Sequence, residues 1–271
     1  MALGSLPAAG VDAGASLIKL AIRDSRGELT LASLSASAAK EVLGRVRDCP
    51  VGRVALTGCG AAELAQQIEG ARRIEEFNAW ANGARARVDP EGAGGPFLLI
   101  SMGTGTSALR VSPGAAERVG GTALGGGTLL GLSAALVGTR DFDQIAALAA
   151  RGDRSQVDLT IGDLYGDDFE IPALFTAASF GKLMPNVQAD PSDLAQGIMG
   201  LIGENVGKIC ASLARENNTQ RVIFAGGCLR GNDYLANLLR GMCLVVGLDA
   251  EVLENGEYTG ALGALQLVES G

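Results

Sequence analysis

Several short stretches of the chain hold the residue types that phosphate chemistry requires. Asp12-Ala-Gly14-Ala-Ser16 sets a carboxylate, a glycine and a hydroxyl within five residues. Backbone at a glycine can approach a phosphate closely, amides and a hydroxyl can bond its oxygens, and a carboxylate can hold Mg²⁺ directly or through water. Gly103-Thr-Gly-Thr-Ser107 offers a second loop of the same kind. Each alone equally fits a tight turn of small residues. Two in matching context are able to clasp a phosphate chain between them. Neither has the G-x-x-x-x-G-K-[ST] spacing of a P-loop, and neither is a G-x-G-x-x-G opening a helix, which disfavours dinucleotide chemistry.

Arg118-Val-Gly-Gly-Thr-Ala-Leu-Gly-Gly-Gly127 runs into the apolar stretch Leu129–Val137. Gly125, Gly126 and Gly127 are expected to present free amides at the positive end of that helix. Arg118 supplies a cation for a reacting phosphoryl group. The sequence contains no histidine, so imidazole acid–base chemistry, Ser-His and Cys-His pairs and His-containing zinc sites are excluded. A glutamate then becomes the natural general base. Glu75 and Glu76 offer two at one helix start, where an acidic first turn on a surface helix would look the same. Ala225-Gly226-Gly227-Cys228 and Gly256-Glu-Tyr258-Thr-Gly-Ala-Leu-Gly263 read equally as strand-to-helix turns or as loops against which a nucleoside lies.

The elements that must position these residues follow from periodicity. Ile18, Leu20 and Ile22 alternate with polar or small residues, Asp24–Gly27 turns the chain, and Leu29–Leu34 returns, predicting a hairpin. Helices are expected at Ala38–Val46, Ala61–Ile68 and Glu76–Arg87, with a strand at Arg53–Leu56. The run from Asp89 to Pro96 breaks all periodicity and divides the chain into lobes 1–96 and 97–271. Phe97–Ser101 reads as a strand buried on both faces. The pattern strand, Gly14-Ala-Ser16, strand, turn, strand then recurs around Gly105-Thr-Ser107, a duplication. Asp190-Pro-Ser-Asp193 starts a long helix with an N-cap and Pro at N1. Its apolar face runs Leu194, Ile198, Leu201, Ile202, Val206, Ile209 and Leu213, and Gly200, Gly203 and Gly207 permit close helix packing. Val222–Phe224, Tyr234–Met242, Glu251–Leu253 and Ala261–Val268 complete an α/β second lobe.

The 22 basic and 30 acidic residues leave a net charge of −8, which argues against nucleic acid, since phosphate-backbone binding needs a basic face. Five scattered cysteines without a C-x-x-C fit reduced core thiols in a cytoplasmic protein. The opening MALGSLPAAG has neither a basic region nor a long apolar one, so neither a signal peptide nor a membrane span is expected.

The ordered set VDAGASLIKL, EEFNA, GTGTS, ERVGGTALGGGTLLGLSAAL, GDRSQVDLTIGDLYG, AASFGKL, VIFAGG and ENGEYTGALGAL resembles the type II pantothenate kinases over nearly the whole chain. The resemblance implies an α/β fold with a duplicated ribonuclease-H-like core, the two-lobe fold of actin, sugar kinases and the heat-shock chaperone ATPase. It implies ATP-dependent phosphorylation of pantothenate, the first step of coenzyme A synthesis, with ATP and Mg²⁺ bound. It places Asp12 at the metal and phosphates, with Gly14, Ser16 and Lys19 in the same strand and loop. Glu76 falls at the general base and Arg118 at the Arg contacting pantothenate and the reacting phosphate. Thr104, Thr106, Gly121 and Tyr258 fall among substrate contacts. Gly103, Gly105, Ser107, Gly125, Gly126, Gly127, Gly226 and Gly227 fall around the nucleotide. It further implies a homodimer through the long helix, with coenzyme A or its thioesters as inhibitors. Ala15 and Ser16 stand where the family carries Gly-Thr, and a methyl at 15 would crowd the phosphate if φ were positive there. Two other readings share the fold: a related kinase or ATPase, such as one acting on N-acetylglucosamine, and a nucleotide- or coenzyme A-binding regulator without turnover.

Overall fold

The computed structural model describes residues 6–166, 175–185 and 188–270. The first lobe contains β1 (Ala8–Ala13), β2 (Leu17–Arg23), β3 (Leu29–Ser35), α1 (Ala39–Val46), β4 (Val54–Thr57), α2 (Ala61–Ala65), β5 (Arg72–Arg73) and α3 (Glu76–Val88). Its five-stranded sheet has the order β3-β2-β1-β4-β5, with β1 antiparallel to β2 and parallel to β4. The second lobe contains β6 (Phe97–Met102), β7 (Thr106–Ser112), β8 (Ala115–Thr122), α4 (Gly126–Leu136), α5 (Phe142–Ala149), β9 (Leu159–Thr160), α6 (Ile161–Tyr165), β10 (Thr176–Ala178), α7 (Pro191–Glu216), β11 (Arg221–Ala225), α8 (Asp233–Val245), β12 (Asp249–Val252) and α9 (Thr259–Glu269). Its larger sheet has the order β12-β11-β6-β7-β8. That is the first sheet's order with each strand replaced by its later counterpart, and the parallel and antiparallel pairings match as well.

The duplication expected from sequence is therefore present, with one correction to its register. Strand β7 begins at Thr106, so the loop corresponding to residues 14–16 is Gly103-Thr-Gly105. Thr106 and Ser107 already belong to the strand, because they pair with Met102 and Ser101.

Two helices occupy the space between the sheets. α9, from the far end of the chain, lays Ala261, Ala264, Leu265 and Val268 on Ala8, Ala21 and Ala55 of the first sheet. α3 lays Trp80, Ala81 and Ala84 on Phe97, Leu99, Leu109 and Val111 of the second. The helices cross at backbone contact: a Cβ on Gly263 would overlap the Ala79 carbonyl, and one on Gly83 the Thr259 carbonyl. Any side chain at either glycine forces the lobes apart, so the glycines set the distance between the sheets.

The opposite face of the second sheet, Leu98, Ile100 and Met102, packs on Ile198, Ile202 and Val206 of α7. Each such side chain, 0–1% exposed, contributes about 1.5–3 kcal/mol by leaving water. The expected N-terminus of α7 is present, with the Asp190 carboxylate accepting from the Ser192 amide at 2.7 Å and Pro191 at the first position. Gly203 faces Leu235 and Leu238 of α8, and Gly207 faces Met242. The glycines and the fully buried part of the apolar face of α7 are thus used for packing inside this chain.

Candidate active site

Site residues converge from both lobes onto the faces that meet α3 and α9. Register alone places the first group. Asp12 pairs with Lys19 across one side of β1 and with Thr57 across the other, and residues opposite one another share a face. That face is the α9 face, since Gly10, two residues earlier, abuts Ala261 and Leu265. Asp12 is 4% exposed. A Cβ on Gly58 would lie 2.7 Å from its Oδ1, and one on Gly260 would lie 2.7 Å from Oδ2 and 2.8 Å from the Trp80 indole nitrogen. The carboxylate is thus walled in by bare backbone, and among the described residues only burial and the charges of Lys19 and Glu76 act on it, with no hydrogen bond. Burial raises its pKa to about 6, against the pull of the Lys19 ammonium and with a further push from Glu76. A buried carboxylate without a donor suits a cation, and Mg²⁺ fits it. Among the described residues no three metal-binding side chains converge, so Asp12, phosphate oxygens and water would complete the coordination.

Capping distinguishes Glu75 from Glu76. Glu75 is the N-cap of α3, and its two carboxylate oxygens accept from the amides of Phe77 at 3.0 Å and Asn78 at 2.8 Å. Glu76, the first helical residue, accepts none. It lies one turn before Trp80, on the same side of α3, and Trp80 stands beside Asp12. The partial loss of water in this cleft raises the Glu76 pKa, the Glu75 charge adds to the rise, and Lys19 opposes it. Asp12, Lys19 and Glu76 form one electrostatic unit.

A β-bulge turns Arg118 to the α3-facing side of the second sheet. The β7–β8 register steps from Ala108↔Gly120 to Leu109↔Arg118, leaving Val119 as an extra residue. Without it Arg118 would share a face with Arg110. With it, Arg118 shares the face of Leu109, which packs on Trp80. Bulges re-aim side chains in this way. The guanidinium lies over Gly121, where a Cβ would sit 2.7 Å from its Nη2 and 3.4 Å from the Ser107 Cα. Ser107, Gly121 and Arg118 are therefore together.

The two corresponding loops touch, with Ser16 Oγ 3.4 Å from Thr104 Oγ1. Ala15 is exposed, and among the described residues positive φ with a side chain occurs only at Phe180, Asn218 and Asn255, so Ala15 meets no backbone strain. Lys19 Nζ comes within 3.5 Å of the Cβ position of Gly14.

Two expectations meet a different arrangement. The amides of Gly126 and Gly127 are not free: they donate at 2.8 Å to the carbonyls of Gly103 and Thr104. Gly125 is the N-cap of α4, and a Cβ there would overlap Gly105 at 2.8 Å. The triple glycine thus lets the helix end grip the Gly103–Gly105 loop. Thr106 is 6% exposed, and its hydroxyl donates to the Leu124 carbonyl at 2.7 Å. It secures the loop from behind.

On the second lobe a cavity of ≈ 330 Å³ is lined by residues including Gly226, Arg230, Ala236, Arg240, Gly256 and Glu257. Gly226 has φ +116° and presses on the Met102 carbonyl, a bend that only glycine supplies. Gly227 follows in a single 3₁₀ turn. Arg230 is fixed by Asp143 at 2.9 Å and stands over the Phe142 ring. The cavity and Asp12 are joined by one loop, since Glu257 precedes Gly260 by three residues. Tyr258 lies between them, half-buried, its pKa raised by burial and by the Glu257 charge. The sequence pattern singled out neither Trp80 nor Arg230, and within the Gly256–Gly263 stretch it gave Glu257 and Gly260 no part of their own; the single Trp four residues after Glu76 was the available sign.

The Fumble family matches residues 74–267. A type II pantothenate kinase of Staphylococcus haemolyticus is 30% identical over 263 residues, covering 95% of this chain and 98% of that protein. One of Staphylococcus saprophyticus is 31% identical, covering 95% and 99%. Among solved structures, the activator of 2-hydroxyisocaproyl-CoA dehydratase from Clostridium difficile with bound ADPNP superposes with TM-score 0.66 at 17% identity, covering 98% of this chain and 95% of that one. A glucokinase of the ROK family from Streptomyces griseus with glucose and AMPPNP gives 0.60 at 14%, covering 98% and 100%. The structural likenesses show the two-lobe α/β fold.

Proposed function

The chain belongs to the type II pantothenate kinase family, and from that premise we propose that it transfers the γ-phosphoryl group of ATP to the primary hydroxyl of pantothenate, with Glu76 as general base and Arg118 at the transferring group. The observation that carries the reading is the convergence of Asp12, Lys19 and Glu76 beside Trp80, with Arg118 turned by the bulge at Val119 to the sheet face that packs on Trp80.

Glu76 takes the hydroxyl proton as that oxygen bonds to the γ-phosphorus. The bond from phosphorus to the β–γ bridging oxygen breaks, and its electron pair leaves with ADP. Glu76 is suited to the task because the partial loss of water and the Glu75 charge raise its pKa, which makes it a stronger base. Arg118 faces the charge spread over the γ-phosphoryl oxygens, where a fixed guanidinium needs no reorganisation. Asp12 would hold Mg²⁺, which when bound neutralises the β- and γ-phosphates. The nucleoside occupies the cavity at Gly226 and Gly256. Residues 257–260 span at most about 11 Å, so phosphates extending from that cavity reach Asp12.

A cytoplasmic location, inhibition by coenzyme A thioesters and a homodimer belong to the same reading on family grounds. No described helix is long and apolar enough to cross a membrane.

ADP release is measured with Mg-ATP and either pantothenate or N-acetylglucosamine. Pantothenate-dependent release is expected. Release with the sugar alone would keep the fold and replace the substrate. Glu76→Gln is expected to fold, bind ATP and lose about 10²–10⁴-fold in kcat, whereas near-wild-type turnover removes Glu76 from the base role.

A further inference from the structure

The nucleotide cavity contains a buried carboxylate that phosphoryl transfer does not use. Glu257 is 7% exposed, lines the cavity and accepts no hydrogen bond from any described residue. An ionised carboxylate only accepts, and burying one without donors is costly. Protein charge compensates in part. Arg87, near the C-terminal end of α3, donates from Nη2 to the Glu254 carbonyl and lies in the field of Glu254, Glu251 and Glu257, which oppose the lowering of its pKa by burial. That guanidinium offsets the charge of Glu257 without bonding it, so the carboxylate oxygens remain available to whatever enters the cavity.

The position of Glu257 along the loop selects the ligand group it meets. It precedes Gly260 by three positions, and the Gly260 backbone abuts Asp12 Oδ2. The phosphates lie at Asp12, so the part of a nucleotide that reaches Glu257 is the sugar, and the base lies farther out towards Ala236 and Arg240. The 2′- and 3′-hydroxyls of a ribose present two adjacent donors to the two carboxylate oxygens. We infer that Glu257 reads the ribose diol, making this a ribonucleotide-selective phosphoryl donor site. The inference rests on the placement of ATP proposed above.

A site built to bond a substrate hydroxyl rejects the analogue lacking it, because the buried polar group is left unpaired. With pantothenate saturating, kcat/KM for 2′-deoxy-ATP is expected to fall roughly 10- to 100-fold below that for ATP, the worth of one hydrogen bond to a charged group. The thermal shift given by 2′-deoxy-ADP should fall below that given by ADP in parallel. Glu257→Gln keeps the shape of the side chain and is expected to shrink the ATP to 2′-deoxy-ATP ratio to within a few-fold. A purely structural role for Glu257 would weaken both nucleotides equally and leave the ratio intact, which overturns the inference. Equal use of the two nucleotides by the wild type overturns it without touching the proposed reaction. A preference for GTP that Glu257→Gln abolishes would assign the carboxylate to the base and also overturn it. If neither ADP nor 2′-deoxy-ADP shifts the melting temperature, the placement of ATP fails together with the inference.

Discussion

The two lobes carry the same strand order and the same hairpin loop, yet only one loop is charged. In the first, Asp12 stands second from the end of β1, buried and without a donor, facing Lys19 and Glu76. In the second, the corresponding position of β6 is Ser101, and the polar groups that follow are engaged internally. The Gly103 and Thr104 carbonyls accept from α4, and the Thr106 hydroxyl donates to Leu124. A duplicated scaffold thus supplies one loop that waits for a cation and one held rigid by its own helix. The charge needed for chemistry sits where the protein leaves it unsatisfied, and the partner loop is preorganised by glycine-to-carbonyl contacts.

The largest expected effect breaks this asymmetry directly. Asp12→Asn should lower kcat/KM by about 10³-fold, on the scale of losing a principal electrostatic contact in a site sheltered from water. Ser101→Ala should lose less than about 10-fold. Comparable losses at both positions, measured with Mg-ATP and pantothenate, would mean the two loops share the metal and phosphate work. Arg118→Ala is next, with a loss of about 10²-fold in kcat. Arg118→Lys should recover only part of that, because an ammonium lacks the planar fork. Unchanged kcat/KM in Arg118→Ala would remove the residue from the site.

Sequence patterning reaches the duplicated strands, the helix starts and the loops around Asp12 and Gly103, because alternation, caps and glycine clusters are local features. It does not reach the bulge at Val119, since one extra residue in β8 leaves no compositional trace. Yet that residue decides which face Arg118 occupies. Nor does it reveal that the Gly126 and Gly127 amides are already bonded to Gly103 and Thr104, because a helix N-terminus reads the same whether a phosphate or a carbonyl occupies it. The capping role of Glu75 was open for a related reason: two adjacent glutamates at a helix start become distinguishable only once the first helical residue is fixed.

The charged loop should also answer to pH where the neutral one does not. The Asp12 pKa is about 6 in the folded apoprotein, above its ordinary value near 4. The native state therefore holds the proton more tightly than the unfolded chain. Apoprotein stability should fall as pH rises from about 4 to 6, by up to about 3 kcal/mol, and then level off. Asp12→Asn should abolish this fall, as urea midpoints across that range would show. Activity runs the other way. kcat/KM should drop on acidification through about pH 6, as Asp12 loses the charge that Mg²⁺ requires. A flat stability profile in wild-type apoprotein would contradict the buried, donor-free carboxylate.

The smallest effect concerns Ala15, the first-loop counterpart of Thr104. The loop accommodates its methyl at negative φ and in solvent, so the alanine costs nothing in backbone strain. Ala15→Gly should change kcat by no more than about twofold, the range of an exposed substitution away from any special contact. It should lower stability by about 0.4–1 kcal/mol, because the freer unfolded chain gains entropy. A large gain in kcat would mean that the methyl obstructs the phosphates after all, and that the loop must move before it binds them.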